Sequence, residues 1–315
     1  MKKHFVFKCN EKFPSCHAAT IVELSDGEIL CAWYAGSYEG AKDQAILISY
    51  YMEERDVWEP AKVIIDTPNL PDGNPVLFKD QKDIVWLFFV TMYGKGWDTC
   101  KIKYILSYNY GRSWGPVRIL RDELGWMIRN KPLILENSEI LFPVYDERRW
   151  SSMVMISEDH GKTWSVYGNI HVKGGCIQPA VVELSNSNLL MFLRTRSGYI
   201  WRSTSYDKGR TWEEPKPTML RNPNSAVDMI RLKSGNLLLA FNDSSTRRTP
   251  LVVALSEDEG ESWTCKKIIE SGEGEFSYPA LIQTKDGTVH LVYTYKRKAI
   301  CHVMFDEEWI QSKNN

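Results

Sequence analysis

Six times along the chain an apolar run gives way to a short polar turn and then to a second apolar run. The paired runs span 19–34, 75–90, 131–146, 179–194, 226–241 and 279–294. Asp26-Gly27, Ser234-Gly235 and Asp286-Gly287 stand in three of the turns, a dipeptide chemistry that closes hairpins. The runs are nearly continuous in apolar residues rather than alternating, so these strands are expected to be covered on both faces. No stretch sustains an i, i+3, i+4, i+7 apolar pattern over three turns, which predicts little helix. The 12 Trp and 15 Tyr, with abundant β-branched residues, favour strands as well.

Between the hairpins lies a second repeat, Ser-x-Asp-x-Gly-x-Thr/Ser-Trp. It occurs at Ser107–Trp114 with Asn109 in the Asp position, and at Ser157–Trp164, Ser205–Trp212 and Ser256–Trp263. Degenerate copies run from Ser49 to Trp58 and from Phe305 to Trp309. The six tryptophans, at 58, 114, 164, 212, 263 and 309, stand 46 to 56 residues apart. Units of that size match four-stranded propeller blades. The Asp is suited to accept backbone N–H groups in a tight turn, the Gly to supply positive φ, and the Trp to pack between units. The boxes therefore read as braces, not as catalytic groups. The expected fold is all-β: a six-bladed β-propeller of four-stranded antiparallel blades, one domain over residues 1–315. The segment Lys3–Lys8 is expected to complete the last blade.

Composition narrows the function classes. The formal net charge of −1 gives no global attraction to nucleic acid or membrane, and neither is expected as a partner. The first ten residues lack the apolar core of a secretory leader, and no apolar run approaches the length of a membrane span. Seven scattered cysteines without a CxxC pair indicate neither a disulfide framework nor a zinc site. A cytoplasmic protein without metal or cofactor is the expectation.

Aligning the six hairpins puts His17, Asn74, Arg129 with Asn130, Gln178, Asn224 with Ser225, and Tyr278 at the start of each first strand. The second strands return to the same mouth with Glu39, Tyr145 to Arg148, Arg194 to Arg196, Arg247-Arg248 and Arg297. Several arginines thus gather on one concave surface of a neutral protein, and a planar guanidinium matches a carboxylate bidentately. An anionic ligand is expected there; structural pairing with Asp146, Glu147 and Asp243 is the alternative.

The repeated boxes resemble the Asp-boxes, or BNR repeats, of the sialidase superfamily, and the resemblance runs from about Pro14 to Trp309. It implies a six-bladed propeller in which three arginines grip a substrate carboxylate, a Tyr paired with a Glu is the nucleophile, and an acidic residue handles the leaving-group proton. Phe276–Leu281 resembles the segment bearing the nucleophile, implying Tyr278. Leu189–Arg194 resembles a stretch carrying one arginine, and Arg248, with Arg247 as rival, stands where another is expected. Glu39 or Asp43 falls where the acid/base carboxylate is found. His17 replaces the family's first arginine, and Gln178 aligns with the Glu that activates the Tyr. Glu147, Glu275 and His17 are candidates to substitute for that Glu.

Three functions follow. The first is an exo-acting glycoside hydrolase for a terminal acidic sugar. It would use Tyr278 as nucleophile or charge stabiliser, Glu39 or Asp43 as acid/base, and Arg129, Arg194 and Arg248 as clamp, with Asn130, Gln178 and Glu147 as further substrate contacts. The second is a lyase on uronate-containing glycans using His17 and Tyr278. The third is a non-catalytic propeller that binds acidic carbohydrate.

Overall fold

The computed structural model describes residues 1–312, and those residues form six antiparallel sheets arranged as the blades of a propeller. The first blade holds Ser15–Glu23, Ile29–Gly36 and Ala45–Met52, with Val57–Trp58 and Lys62–Ile65 sharing its outer edge. The inner strands of the next five blades are Asp72–Lys79, the split pair Trp126–Ile128 and Leu133–Ile134, Cys176–Glu183, Asp228–Arg231 and Phe276–Gln283. Lys2–Lys8 pairs antiparallel with Ala299–Phe305, so the sixth blade takes its outermost strand from the start of the chain. That pairing ties the start of the chain to its last blade and so closes the ring.

The second strands, such as Ile29–Gly36 and Val85–Met92, are buried along their whole length. This is what their unalternating apolar sequence requires. Each box tryptophan packs back onto the interface with the preceding blade. Trp114 lies against the core shared by blades one and two, Trp164 against that of two and three, and Trp212 against that of three and four. Trp263, Trp309 and Trp58 repeat the arrangement around the rest of the ring.

The box itself is a hydrogen-bonded turn. In Ser157–Trp164, the Gly161 amide donates to Ser157 Oγ at 2.7 Å, Asp159 Oδ1 accepts from the Thr163 amide at 2.8 Å, and Trp164 Nε1 donates to the Gly161 carbonyl at 3.1 Å. The Thr163 amide, followed by its hydroxyl, holds the Asp159 carboxyl down to about 2. His160 and Gly161 are both left-handed, a pair of conformations repeated at Tyr110-Gly111, Lys208-Gly209 and Glu259-Gly260. One degenerate copy departs from the box. Asp306 instead caps a short helix, Glu307–Gln311, by accepting from the Trp309 amide at 2.7 Å. The missing Gly explains it, because without a left-handed residue the chain continues into a right-handed turn.

Four inner strands and the loop leading into a fifth share one irregularity. Ala18, Asn74, Gln178, Asn224 and Tyr278 each adopt φ between 42° and 58°. In the four strands the register with the second strand shifts at that point. Such a bulge rotates one side chain out of the pleat towards the axis. It also corrects the alignment in the first blade: the equivalent of Gln178 and Tyr278 is Ala18, and His17 precedes the bulge.

Candidate active site

The bulges, together with the loops that follow the second strands, build a cavity of about 270 Å³ at one mouth of the channel. Glu39, Asn74, Trp97, Tyr145, Glu147, Gln178, Arg194, Arg248, Tyr278 and Arg297 supply its polar and aromatic lining. It faces away from the Asp-box turns, because the inner strands start at this end and finish at the other.

Tyr278 is the centre. Its ring packs with Ala18, Tyr34 and Ala226 and lies 4.0 Å, centroid to centroid, from that of His17. Its phenol oxygen accepts from Arg194 Nη1 at 2.9 Å and from Gln178 Nε2 at 3.3 Å. Arg194 Nη1 also donates to Gln178 Oε1 at 2.9 Å, which fixes the amide so that its NH₂ points at the tyrosine. Burial pushes the Tyr278 phenol up. The charges of Arg194 and Arg248 and the Gln178 hydrogen bond outweigh it and bring the group below the ordinary tyrosine value. The site therefore makes the phenol easier to ionise than a free tyrosine, and does so without a carboxylate acting as base.

Arg194 is only 7% exposed, and among the described residues no carboxylate lies within ion-pair distance of it. Its other contact is Nε to Asn224 Oδ1 at 2.7 Å. A buried cation without a counter-ion is a demand for an anion. Arg248 stands 3.5 Å from Glu275, and Arg297 bonds Glu275 through Nε at 2.6 Å and Glu39 through Nη1. Asp146 and Asp243 are taken up elsewhere, by Arg149 and by Arg221 with Lys266, so they do not neutralise the cluster.

Several of the sequence candidates stand back from the cavity. Arg129 is buried beneath it and donates to the carbonyls of Ala19, Tyr278 and Pro279 at 2.7 to 3.2 Å. Its guanidinium holds the Tyr278 bulge in place from below. Asn130 does the same for the neighbouring bulge, bonding the Gln178 and Pro179 carbonyls. Asp43 turns to the Ser37 amide and hydroxyl. His17 is sealed behind the Tyr278 ring with Nδ1 on Thr294 Oγ1 at 2.8 Å. Burial, reinforced by Arg297, Arg248, Arg129 and Arg194, keeps it neutral.

Glu39, Glu147, Gln178, Arg194, Arg248 and Tyr278 are brought together. Burial pushes Glu147 up to about 7 against the pull of Arg194 and a hydrogen bond to Trp150. Trp97 was not legible as a site residue. It comes from the loop after the second strand of blade two, donates to Glu39 Oε1 at 3.2 Å, and packs so tightly on Gly73 that a Cβ there would stand 2.8 Å from its ring. The only sequence signal was the glycine pair around Lys95. Among the described residues no cluster of three or more His, Cys, Asp or Glu is placed to hold a metal, and no helix is long and apolar enough to cross a membrane.

The model of the BNR repeat-like domain matches residues 27–291. The chain belongs to the sialidase superfamily of BNR-repeat proteins. An anhydrosialidase of Macrobdella decora is 25% identical over 173 residues, 49% of this chain and 23% of its own length. A sialidase of Micromonospora viridifaciens is 30% identical over 158 residues, 46% of this chain and 24% of its own. The chain thus matches about a quarter of the length of each of these relatives. Among solved structures, the Hadza microbial sialidase Hz136 superposes with a TM-score of 0.84 over 98% of this chain and 69% of its own, at 18% identity, which speaks for the fold alone. Against the pattern implied by resemblance, Gln178 stands where a glutamate is expected, and the first blade presents Ala18 at its bulge, preceded by His17, with no arginine there.

Proposed function

We propose that this superfamily member is an exo-acting glycoside hydrolase that releases a terminal carboxylated sugar, sialic acid or a close relative. One observation carries the reading: the Tyr278 phenol oxygen is held at 2.9 Å by an arginine that has no carboxylate of its own, at the wall of a sugar-sized cavity. Arg194 and Arg248 receive the substrate carboxylate, which places the adjoining anomeric carbon near Tyr278. The phenolate attacks that carbon as the bond to the leaving oxygen breaks, and the leaving oxygen takes a proton from a cavity carboxylic acid. Glu39 and Glu147 both line the cavity; Asp43 does not. Water then cleaves the tyrosyl–sugar bond, giving a proton back to the carboxylate that served as acid, and returns the phenolate. Positive charge close to the phenol stands in for the missing base, because it lowers the phenol's proton affinity directly.

The lyase reading requires His17 to touch substrate, and its seat behind Tyr278 weighs against that. The deciding measurement is a screen of purified protein against sialosides, other keto-acid glycosides and uronic acid oligomers. The expected product is a free acidic sugar with no new ultraviolet absorbance. An absorbing unsaturated product, or carbohydrate binding without any product, would overturn the assignment.

A further inference from the structure

We propose that Arg297 takes the place of the arginine missing from the first blade, and that a ligand carboxylate binds it by displacing Glu39. This rests on the reading of the cavity as an acidic-sugar site and specifies how that sugar is gripped. Two other basic side chains of the sequence pattern stand out of the ligand's reach. His17 is neutral and sealed behind Tyr278, and Arg129 spends its donors on main-chain carbonyls. Arg297 lines the same cavity as Arg194 and Arg248 and approaches it from the sixth blade.

The backbone shows how firmly that arginine is placed. Lys296 and Arg297 form a tight turn with φ of 52° and 58°, left-handed conformations that cost long side chains energy and favour Asn and Gly. Strain of this kind persists only where the surroundings fix it, and it concentrates at functional positions. Here the fixing contacts are many. The Lys296 amide donates to the Glu275 carbonyl at 2.8 Å, and the Lys298 amide to the Tyr295 carbonyl at 2.9 Å. The Arg297 carbonyl accepts from the Cys16 amide at 3.1 Å and from Cys9 Sγ at 3.6 Å, and the Cys9 amide reaches the Lys298 carbonyl at 2.9 Å. The segment leading out of the closing strand thus anchors the turn, while Glu275 holds the guanidinium through Nε at 2.6 Å.

That leaves the Nη1 edge, which carries Glu39. Glu39 comes from the loop after Gly36 and its carboxylate is about one-third exposed, with Trp97 Nε1 as its other partner. Glu275 is deeper in the wall and holds both Arg248 and Arg297. Of the two carboxylates, Glu39 is the one a ligand can replace without breaking the wall. Exchange leaves Arg297 paired throughout, and it frees Glu39 to face the leaving group.

Calorimetric binding of N-acetylneuraminic acid and of its methyl ester to the full chain, as wild type, R297M, R297K and E39Q, tests this. R297M is expected to lose about ten- to a hundredfold in affinity for the acid, the worth of one charge-assisted pair, and little for the ester. R297K, which keeps the charge without the fork, should fall between. E39Q should bind the acid several-fold more tightly, since the competitor is gone. Equal losses for acid and ester in R297M, or unchanged acid binding in R297M or E39Q, overturn the proposal while leaving the cavity reading in place. A wild-type protein that does not distinguish acid from ester overturns both.

Discussion

Arg194 and Tyr278 come from blades four and six, and Nη1 of the first donates to the phenol oxygen of the second across 2.9 Å. Among the described residues no carboxylate forms an ion pair with that arginine, and its charge bears directly on the phenol. Tyr278→Phe removes the oxygen while leaving the ring in its packing with Ala18, Tyr34 and Ala226. Turnover of a carboxylated aryl glycoside is expected to fall on the order of a thousandfold or more while binding survives. Initial rates and calorimetry check this together; a variant retaining wild-type turnover removes Tyr278 from the chemistry.

Gln178 offers the opposite experiment. Its Oε1 accepts from Arg194 and its Nε2 donates to Tyr278, so the amide gives the phenol a hydrogen bond where a base would take a proton. Gln178→Glu keeps the shape and the Arg194 contact and supplies that base. The expected result is a rise in kcat of about a hundredfold or more, within the usual range for general-base assistance, and a rate that climbs with pH as the new carboxylate ionises. Loss of activity with binding retained would show that the phenol needs a donor there.

How far the sequence foretold this differs between fold and site. The ring was legible because its units repeat: the spacing of Trp58, Trp114, Trp164, Trp212, Trp263 and Trp309 is a one-dimensional record of one interface made six times. The site was only half legible. A bulge shifts register by one residue and has no fixed sequence, so His17 aligned where Ala18 belongs. Arg129 carried the right chemistry, but its depth beneath the wall is a tertiary fact. Arg297 could be placed at the mouth, yet nothing in Tyr-Lys-Arg-Lys marks a turn in which both basic residues are left-handed.

Glu147 makes pH a readout of the cavity. Burial lifts its pKa from 4.5 to about 7, so between those values the folded state holds a proton that the unfolded chain has released. Its stabilising contribution is therefore fully present below pH 4.5 and is lost as pH rises through 7. Glu147→Gln should flatten this dependence. Its stability relative to wild type is expected to improve by about 1–3 kcal/mol on going from pH 5 to pH 8. Urea unfolding at the two pH values measures the difference, and an equal offset at both would show that Glu147 titrates normally. If Glu147 is also the proton donor, kcat of the wild type falls above pH 7 and the variant loses that limb.

The last prediction concerns the braces that hold the site at a distance. Gly161 has φ +81°, and a Cβ there would stand 2.8 Å from Cη2 of Trp86, a ring stacked on Phe88 in the core between blades two and three. Neither the turn nor the ring can yield cheaply: the turn is held by Ser157 and Asp159, and Trp86 is fixed by Nε1 on Asp80 at 2.9 Å. Gly161→Ala should cost about 2–4 kcal/mol, the sum of a left-handed alanine and an overpacked interface. Because the box turns lie at the opposite mouth from Tyr278, the folded fraction should keep its affinity for the acidic sugar. Denaturant midpoints with calorimetry at low temperature separate the two effects. A variant of normal stability would mean that the box is not a brace, and one that folds normally but binds weakly would mean that strain travels along the inner strands to the bulges.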